Sequence, residues 1–182
     1  DIIYLKCAFA NNTEGVINIW GGKHEDIKDQ IKILNCMFTG NTNTFDEGGV
    51  MYAEDFNVLI IYNSIFKANL AATFGGVLYY RQAVKVANSY FIKNFATSGG
   101  VIYCKDCTVV LIYGSCWSKN MASSLDRAIY MKTTNKGRIT SIRIIRSVFE
   151  QNFADFGGSL FFPNITDINT INSIFKDNKA LS

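Results

Sequence analysis

NSYFIKNFATSGGVIYC, Asn88 to Cys104, is the stretch on which the fold turns. It holds an aromatic residue (Phe91), an asparagine three residues on (Asn94), a short polar run, a glycine pair (Gly99-Gly100) and an apolar run. The same order recurs along the whole chain. The Phe-x-x-Asn element stands at Phe9/Asn12, Phe38/Asn41, Phe66/Asn69, Phe91/Asn94, Trp117/Asn120, Phe149/Asn152 and Phe175/Asn178, at spacings of 29, 28, 25, 26, 32 and 26 residues. Glycine pairs follow at Gly48-Gly49, Gly75-Gly76, Gly99-Gly100 and Gly157-Gly158; the pair is degenerate at Glu14-Gly15 and replaced by Asp126-Arg127. Self-similarity at such a period is the mark of a solenoid.

Alignment on the aromatic turns the repeat into columns. Seven residues before it stand Ile2, Ile31, Leu59, Val84, Val110, Ile142 and Ile168, and five before it Tyr4, Ile33, Ile61, Val86, Ile112, Ile144 and Thr170. The column between them admits Lys32, Lys85 and Arg143. Alternation of period two predicts a strand with one buried face. A second strand follows each glycine pair, with Ile17, Met51, Leu78, Ile102, Ile129 and Leu160 inward; a third carries the aromatic. Asn35, Asn63, Asn88 and Asn172, three before the aromatic, read as a corner ladder. A coil of three short strands cannot cover its own apolar face, so coils must stack. The prediction is an all-β, single-stranded parallel β-helix of about seven coils of ~27 residues, right-handed by the crossover rule, forming a rod of roughly 30 Å. Trp117 and Asp126-Arg127 are departures from the repeat and predict one distorted corner.

Composition agrees. The 182 residues are 48% hydrophobic, enough for a core, and only 18% charged. A net charge of +3 is too small to argue for nucleic acid. No apolar run reaches the ~18 residues of a membrane helix. One proline, Pro163, suits a fold of paired strands, and 18 asparagines suit one with many tight corners. Residues 1–182 read as a single segment that starts inside a coil and stops where the next glycine pair is due, so a fragment of a longer array is expected, with further coils or a partner subunit continuing the rod.

Phe-x-x-Asn followed by Gly-Gly and an apolar-Ile-Tyr run resembles the repeat of the chlamydial polymorphic outer-membrane proteins, and similar repeats in very large surface proteins of ciliates and other protists. Residues 88–104 are the cleanest match, and the resemblance covers nearly the whole chain. It implies a pectin-lyase-like β-helix in a secreted or surface-displayed adhesive or structural protein, and it carries over no catalytic residue or cofactor.

Candidate chemistry is sparse. Two before the glycine pair stand Asp46, Thr73, Thr97, Ser124 and Asp155; its two acids lie several coils apart, beyond the ~5–9.5 Å of glycosidase carboxylates. His24 is the only histidine and a weak metal candidate. Cys7 and Cys36 share a column that elsewhere holds Ser64, Ser89, Ser115, Ser147 and Ser173, and adjacent coils bring their Cα atoms within disulfide range at ~5 Å. Cys104 and Cys107 could bridge across a corner; the alternative is that these four and Cys116 are reduced, buried small residues. Asn11-Asn12-Thr13 and Asn164-Ile165-Thr166 are N-glycosylation sequons.

Tyr52, Tyr79, Tyr103, Tyr130 and Phe161 follow the aliphatic column by one residue, so alternation points them outward, together with Val50, Val77, Val101 and Ala128, as an exposed stripe; the alternative is that this strand is inverted and the tyrosines are core, or that they only stack on one another. The two longest coils carry GGKHEDIKDQ (21–30, with His24) and KTTNKGR (132–138, with Lys132, Lys136 and Arg138) at one corner. Stripe and loops form the expected contact surface, with protein or glycan partners. The functional expectation is a structural or adhesive segment of a large extracellular or cell-surface protein. The alternatives are a polysaccharide lyase or hydrolase with its active residues elsewhere, and an intracellular scaffold subunit of a large assembly.

Overall fold

The computed structural model describes residues 1–20, 29–45, 47–123, 129–132, 141–155, 158–161 and 167–181. Within them the chain is an all-β parallel solenoid without a helix, its strands gathered in sheets of eleven, seven and six strands. The seven-stranded sheet carries the aromatic column, one strand per coil, which gives seven coils. The eleven-stranded sheet joins the strands after the glycine pairs to the strands before the aromatics; Leu78–Ala87 and Ile102–Tyr113 run through both without a break. The six-stranded sheet corrects the expected three strands per coil. A fourth, two-residue strand follows six of the seven Phe-x-x-Asn elements, at Thr42–Asn43, Leu70–Ala71, Phe95–Ala96, Met121–Ala122, Phe153–Ala154 and Lys179–Ala180, and an isolated bridge from Thr13 to Thr42 takes its place in the first coil. Two residues are too few to show alternation in sequence.

The columns are in register. Ile2 pairs with Ile31, Ile31 with Leu59, Leu59 with Val84, Val84 with Val110, Val110 with Ile142 and Ile142 with Ile168. Ile61, Ile112 and Ile144 are fully buried, Lys85 and Arg143 are exposed, and half-exposed Lys32 is held by Asp1 at 2.8 Å. Each such aliphatic side chain contributes roughly 1.5–3 kcal/mol on burial. Register also explains the aromatic column. Parallel strands set identical side chains one strand spacing apart, ~4.8 Å, close to the separation at which flat rings stack. The seven rings from Phe9 to Phe175 form one pile, with neighbouring centroids 4.0–5.5 Å apart and planes within 13°. Trp117 does not distort the coil: it pairs in step with Phe91 and Phe149, and its buried indole N–H has no partner. Asp126-Arg127 lies outside the described residues.

The asparagine of Phe-x-x-Asn forms an inner ladder. Asn94 Nδ2 donates to Asn120 Oδ1 (3.0 Å) and to the Phe66 carbonyl of the coil before (3.1 Å), while its Oδ1 accepts from Asn69 Nδ2 and the Asn69 backbone N–H. The same bonds repeat from Asn12 to Asn178. An inward amide would be expensive alone, but in the column each donor and acceptor meets a partner. The glycine pairs are steric necessities. A Cβ on Gly49 would lie 2.4 Å from the Gly76 carbonyl oxygen, and one on Gly76 2.4 Å from that of Gly100.

One corner shows how the core absorbs changes in coil length. Arg81 pairs with Lys105 but Ala83 with Val109, so this coil is two residues shorter at the corner. Its interior is filled by Tyr80, fully buried, with its hydroxyl donating to the Phe56 carbonyl at 3.0 Å. The preceding coil puts Ala53 and Phe56 in the core there, and the following coil puts in the disulfide-bonded Cys104 and Cys107.

Candidate binding groove

The corner before each aromatic is turned by one residue in the left-handed region: Lys6, Asn35, Asn63, Asn88, Gly114, Arg146 and Asn172, all with φ between 49° and 55°. Asparagine and glycine suit this conformation best, which explains the recurring Asn. Asn63 Nδ2 donates to Asn35 Oδ1 at 2.7 Å on the outside, one rung of the expected corner ladder. The next residue holds the corner. The N–H of Ser64 donates to Ser89 Oγ, that of Ser89 to Ser115 Oγ and that of Ser115 to Ser147 Oγ, while each hydroxyl donates to the carbonyl two residues earlier in its own coil. Cys36 and Cys7 occupy this spine as thiols. Cys7 N–H donates to Cys36 Sγ at 3.4 Å, and Cys36 Sγ bonds back to the Leu34 carbonyl at 3.3 Å. Of the two states open to Cys7 and Cys36, the reduced one is present, and both sulfurs stand in for serine oxygens and turn to the backbone. Burial pushes the Cys36 thiol up.

The left-handed turn leaves the residues on both sides of it facing outward. One side presents Leu5, Leu34, Tyr62, Ala87, Tyr113, Ile145 and Ile171; the other presents Ala8, Met37, Ile65, Tyr90, Cys116, Val148 and Ile174. Leu5, Met37, Tyr62 and Tyr90 are 46–54% exposed. Along the second column of the first four coils lies a groove of about 440 Å³, lined by Ala8, Met37, Ile65 and Tyr90, by Cys7 and Cys36, and by Lys6, Asn35 and Asn63 of the corner. From Leu5–Asn11 to Tyr113–Lys119, this face carries Lys6, Lys67, Lys93 and Lys119 and no Asp or Glu. All four lysines are exposed. Arg146 adds a fifth cation, donating from Nη1 to the Tyr113 hydroxyl at 3.1 Å. The first carboxylate is Glu150, which accepts from Ser118 Oγ at 3.0 Å and, after burial, helps to push the Cys116 thiol up.

The tyrosine row after the glycine pairs is not the exposed stripe that alternation predicted. Tyr52–Tyr79, Tyr79–Tyr103 and Tyr103–Tyr130 lie ring on ring at 4.9, 5.5 and 5.1 Å, and Phe74 packs on Tyr103 at 4.4 Å. Tyr79 and Tyr103 are only 5% and 6% exposed. Val50, Val77 and Val101, expected outside, belong to the core. At this corner two consecutive N–H groups share one carbonyl: those of Val50 and Met51 both donate to Val77, so the pleat is broken and both side chains turn in. Glu54 and Arg81 flank the row as an ion pair at 3.2 Å. Burial first, then the hydrogen bond and charge of Glu54, push the Tyr52 phenol well above its ordinary range. Tyr79 is raised by burial, with Arg81 opposing.

Of the other candidates, Cys104 and Cys107 form a disulfide buried inside the coil, and Cys116 is free. Asn11 is exposed in a left-handed turn. His24, Asp46, Asn164, Lys136 and Arg138 lie outside the described residues, as do 21–28 and 133–140; Lys132 ends the strand Ile129–Lys132. No group of three metal-ligating side chains occurs among the described residues, and no helix of theirs is long and apolar enough to cross a membrane. The groove was missed in the sequence, although its signal is there: Met37, Ile65, Tyr90 and Val148 are apolar at the outward parity beside an inward aromatic. Compared with known proteins, the chain matches no family, no curated protein and no solved structure.

Proposed function

We propose that this chain is a structural, adhesive segment of a surface or secreted protein, a rigid β-helical rod of the polymorphic outer-membrane type whose side makes contact with protein or glycan. The observation that carries this reading is the outward seam from Leu5 to Ile174. Scattered apolar residues on a surface need no explanation, but contiguous ones rimmed by polar groups mark interaction sites. The Cys104–Cys107 bridge supports an oxidising compartment. Cys7, Cys36 and Cys116 are free, which is what an intracellular scaffold would show, so that second reading has an observation behind it.

The test is adhesion. Beads coated with the segment are washed over cells and matrix, beside beads carrying Met37→Asp/Ile65→Asp, which alters only outward positions. Retention of the parent and loss of the variant are expected; equal retention of both, or of neither, sinks the reading. Thiol labelling of the protein from its own cells separates the compartments: three labelled cysteines point to the surface and five to the intracellular scaffold.

A further inference from the structure

Resting on that adhesive reading, we propose that the groove face of the third to fifth coils binds a linear acidic polysaccharide laid along the rod axis. Charge complementarity selects an anion. Lys67 ends the aromatic strand of the third coil, Lys93 and Lys119 stand in the turn just after that strand in the next two coils, and no carboxylate shares this face before Glu150. Lys93 and Lys119 occupy the same turn of adjacent coils, with φ 54° and 56°, so their side chains leave the rod one strand spacing apart, ~4.8 Å.

Shape and chemistry select a sugar polymer over an added peptide strand. The backbone of these coils is already paired on both sides: Phe91 lies between Phe66 and Trp117 in the ladder, so the third to fifth coils offer no free edge for β-augmentation. What faces outward is a set of rings (Tyr62, Tyr90, Tyr113), the exposed amides of Asn63 and Asn88, and the ammonium row. The C–H face of a pyranose packs on an aromatic ring, as other apolar faces do. Its hydroxyls bond to amides and phenols, and its acid groups meet the lysines. The one-dimensional repeat of the rod matches the one-dimensional repeat of a polymer, so each added sugar meets another coil and weak contacts sum.

The experiment measures binding of the whole segment to immobilised heparin, polygalacturonate, dextran and polyglutamate. The first two separate sulfate from carboxylate recognition, and binding to either supports the proposal, falling as salt rises. Two double variants lower the net charge equally. Lys93→Asn/Lys119→Asn keeps residues that accept the left-handed turn, and Lys85→Gln/Arg143→Gln alters exposed strand positions off the groove. The first should weaken binding about tenfold and the second hardly at all. Tyr62→Ser/Tyr90→Ser should weaken it too, with the salt dependence kept. Unchanged circular dichroism checks that each variant folds. Equal loss in both charge variants reduces the effect to net charge and overturns the proposal, as does equal binding to dextran. Tighter binding to polyglutamate assigns the face to an acidic polypeptide and overturns it as well. If no polysaccharide binds while coated beads still adhere, the polysaccharide is wrong and the adhesive reading stands; if neither occurs, both fall.

Discussion

Two sets of tyrosines sit on the outside of this rod, and they have opposite fates. Tyr52, Tyr79, Tyr103 and Tyr130 repeat in one column, and register places each ring on the next. Stacking closes the row, so the rings cover one another and leave little face for anything else. Tyr62, Tyr90 and Tyr113 lie in three successive coils but alternate between two columns across a left-handed corner, and they stay 38–50% exposed. A ring repeated in register is consumed by its own copies, while staggered rings remain open. Charge follows the same division. The closed row is bordered by Glu54 and Arg81, which neutralise each other, whereas the open face carries lysines through its first five coils and meets its first acid at Glu150.

The largest expected effect tests that division directly. Tyr103→Ala should lower stability by about 3–5 kcal/mol, as for a buried ring, and Tyr90→Ala by less than about 0.5 kcal/mol. Urea unfolding of the two variants reads the difference. Equal losses would mean that the open face is also part of the core.

The inner asparagine ladder and the outer Asn35–Asn63 pair sharpen the comparison. Asn94→Ala deprives the Phe66 carbonyl and the Asn69 N–H of their partners, for about 3 kcal/mol. Asn63→Ala loses an exposed amide and a residue suited to φ 49°, for about 1 kcal/mol. Denaturant midpoints that rank the outer asparagine above the inner one would reverse the assignment of inside and outside at this corner.

The smallest effect is in alkaline solution. Folding raises the phenols of Tyr52, Tyr79 and Tyr80, each chiefly by burial. An acid whose folded pKa lies above its unfolded value of about 10 loses nothing below that pH, because both states are neutral. Above it the unfolded chain ionises first, and stability falls as pH rises toward the folded pKa. Unfolding midpoints should therefore be flat below about pH 10 and fall beyond it, less steeply in Tyr79→Phe. An unchanged slope in that variant would show that Tyr79 is not part of the closed row.

Local chemistry and periodicity were enough to determine the coil. The aromatic column, the aliphatic alternation and the glycine pairs are readable because each recurs at fixed spacing, and each has a physical cause that acts within one coil. Ile112 faces inward in any β-helix built on this pattern, and Gly76 must be glycine wherever another coil passes so close. Only the stacked structure decided the rest. The two-residue strands show no alternation of their own, and their small inward residues make sense only beside neighbours. Whether Cys36 bridges Cys7 or replaces a serine depends on where the spine points its side chain, which spacing does not reveal. Val77 turned inward because its N–H and that of Leu78 share one carbonyl of the next coil, a bond between residues distant in sequence. The outward face followed the same logic. Alternation names the side of the strand on which a tyrosine lies, but its exposure depends on what register places above and below it, and that is a property of the assembled rod.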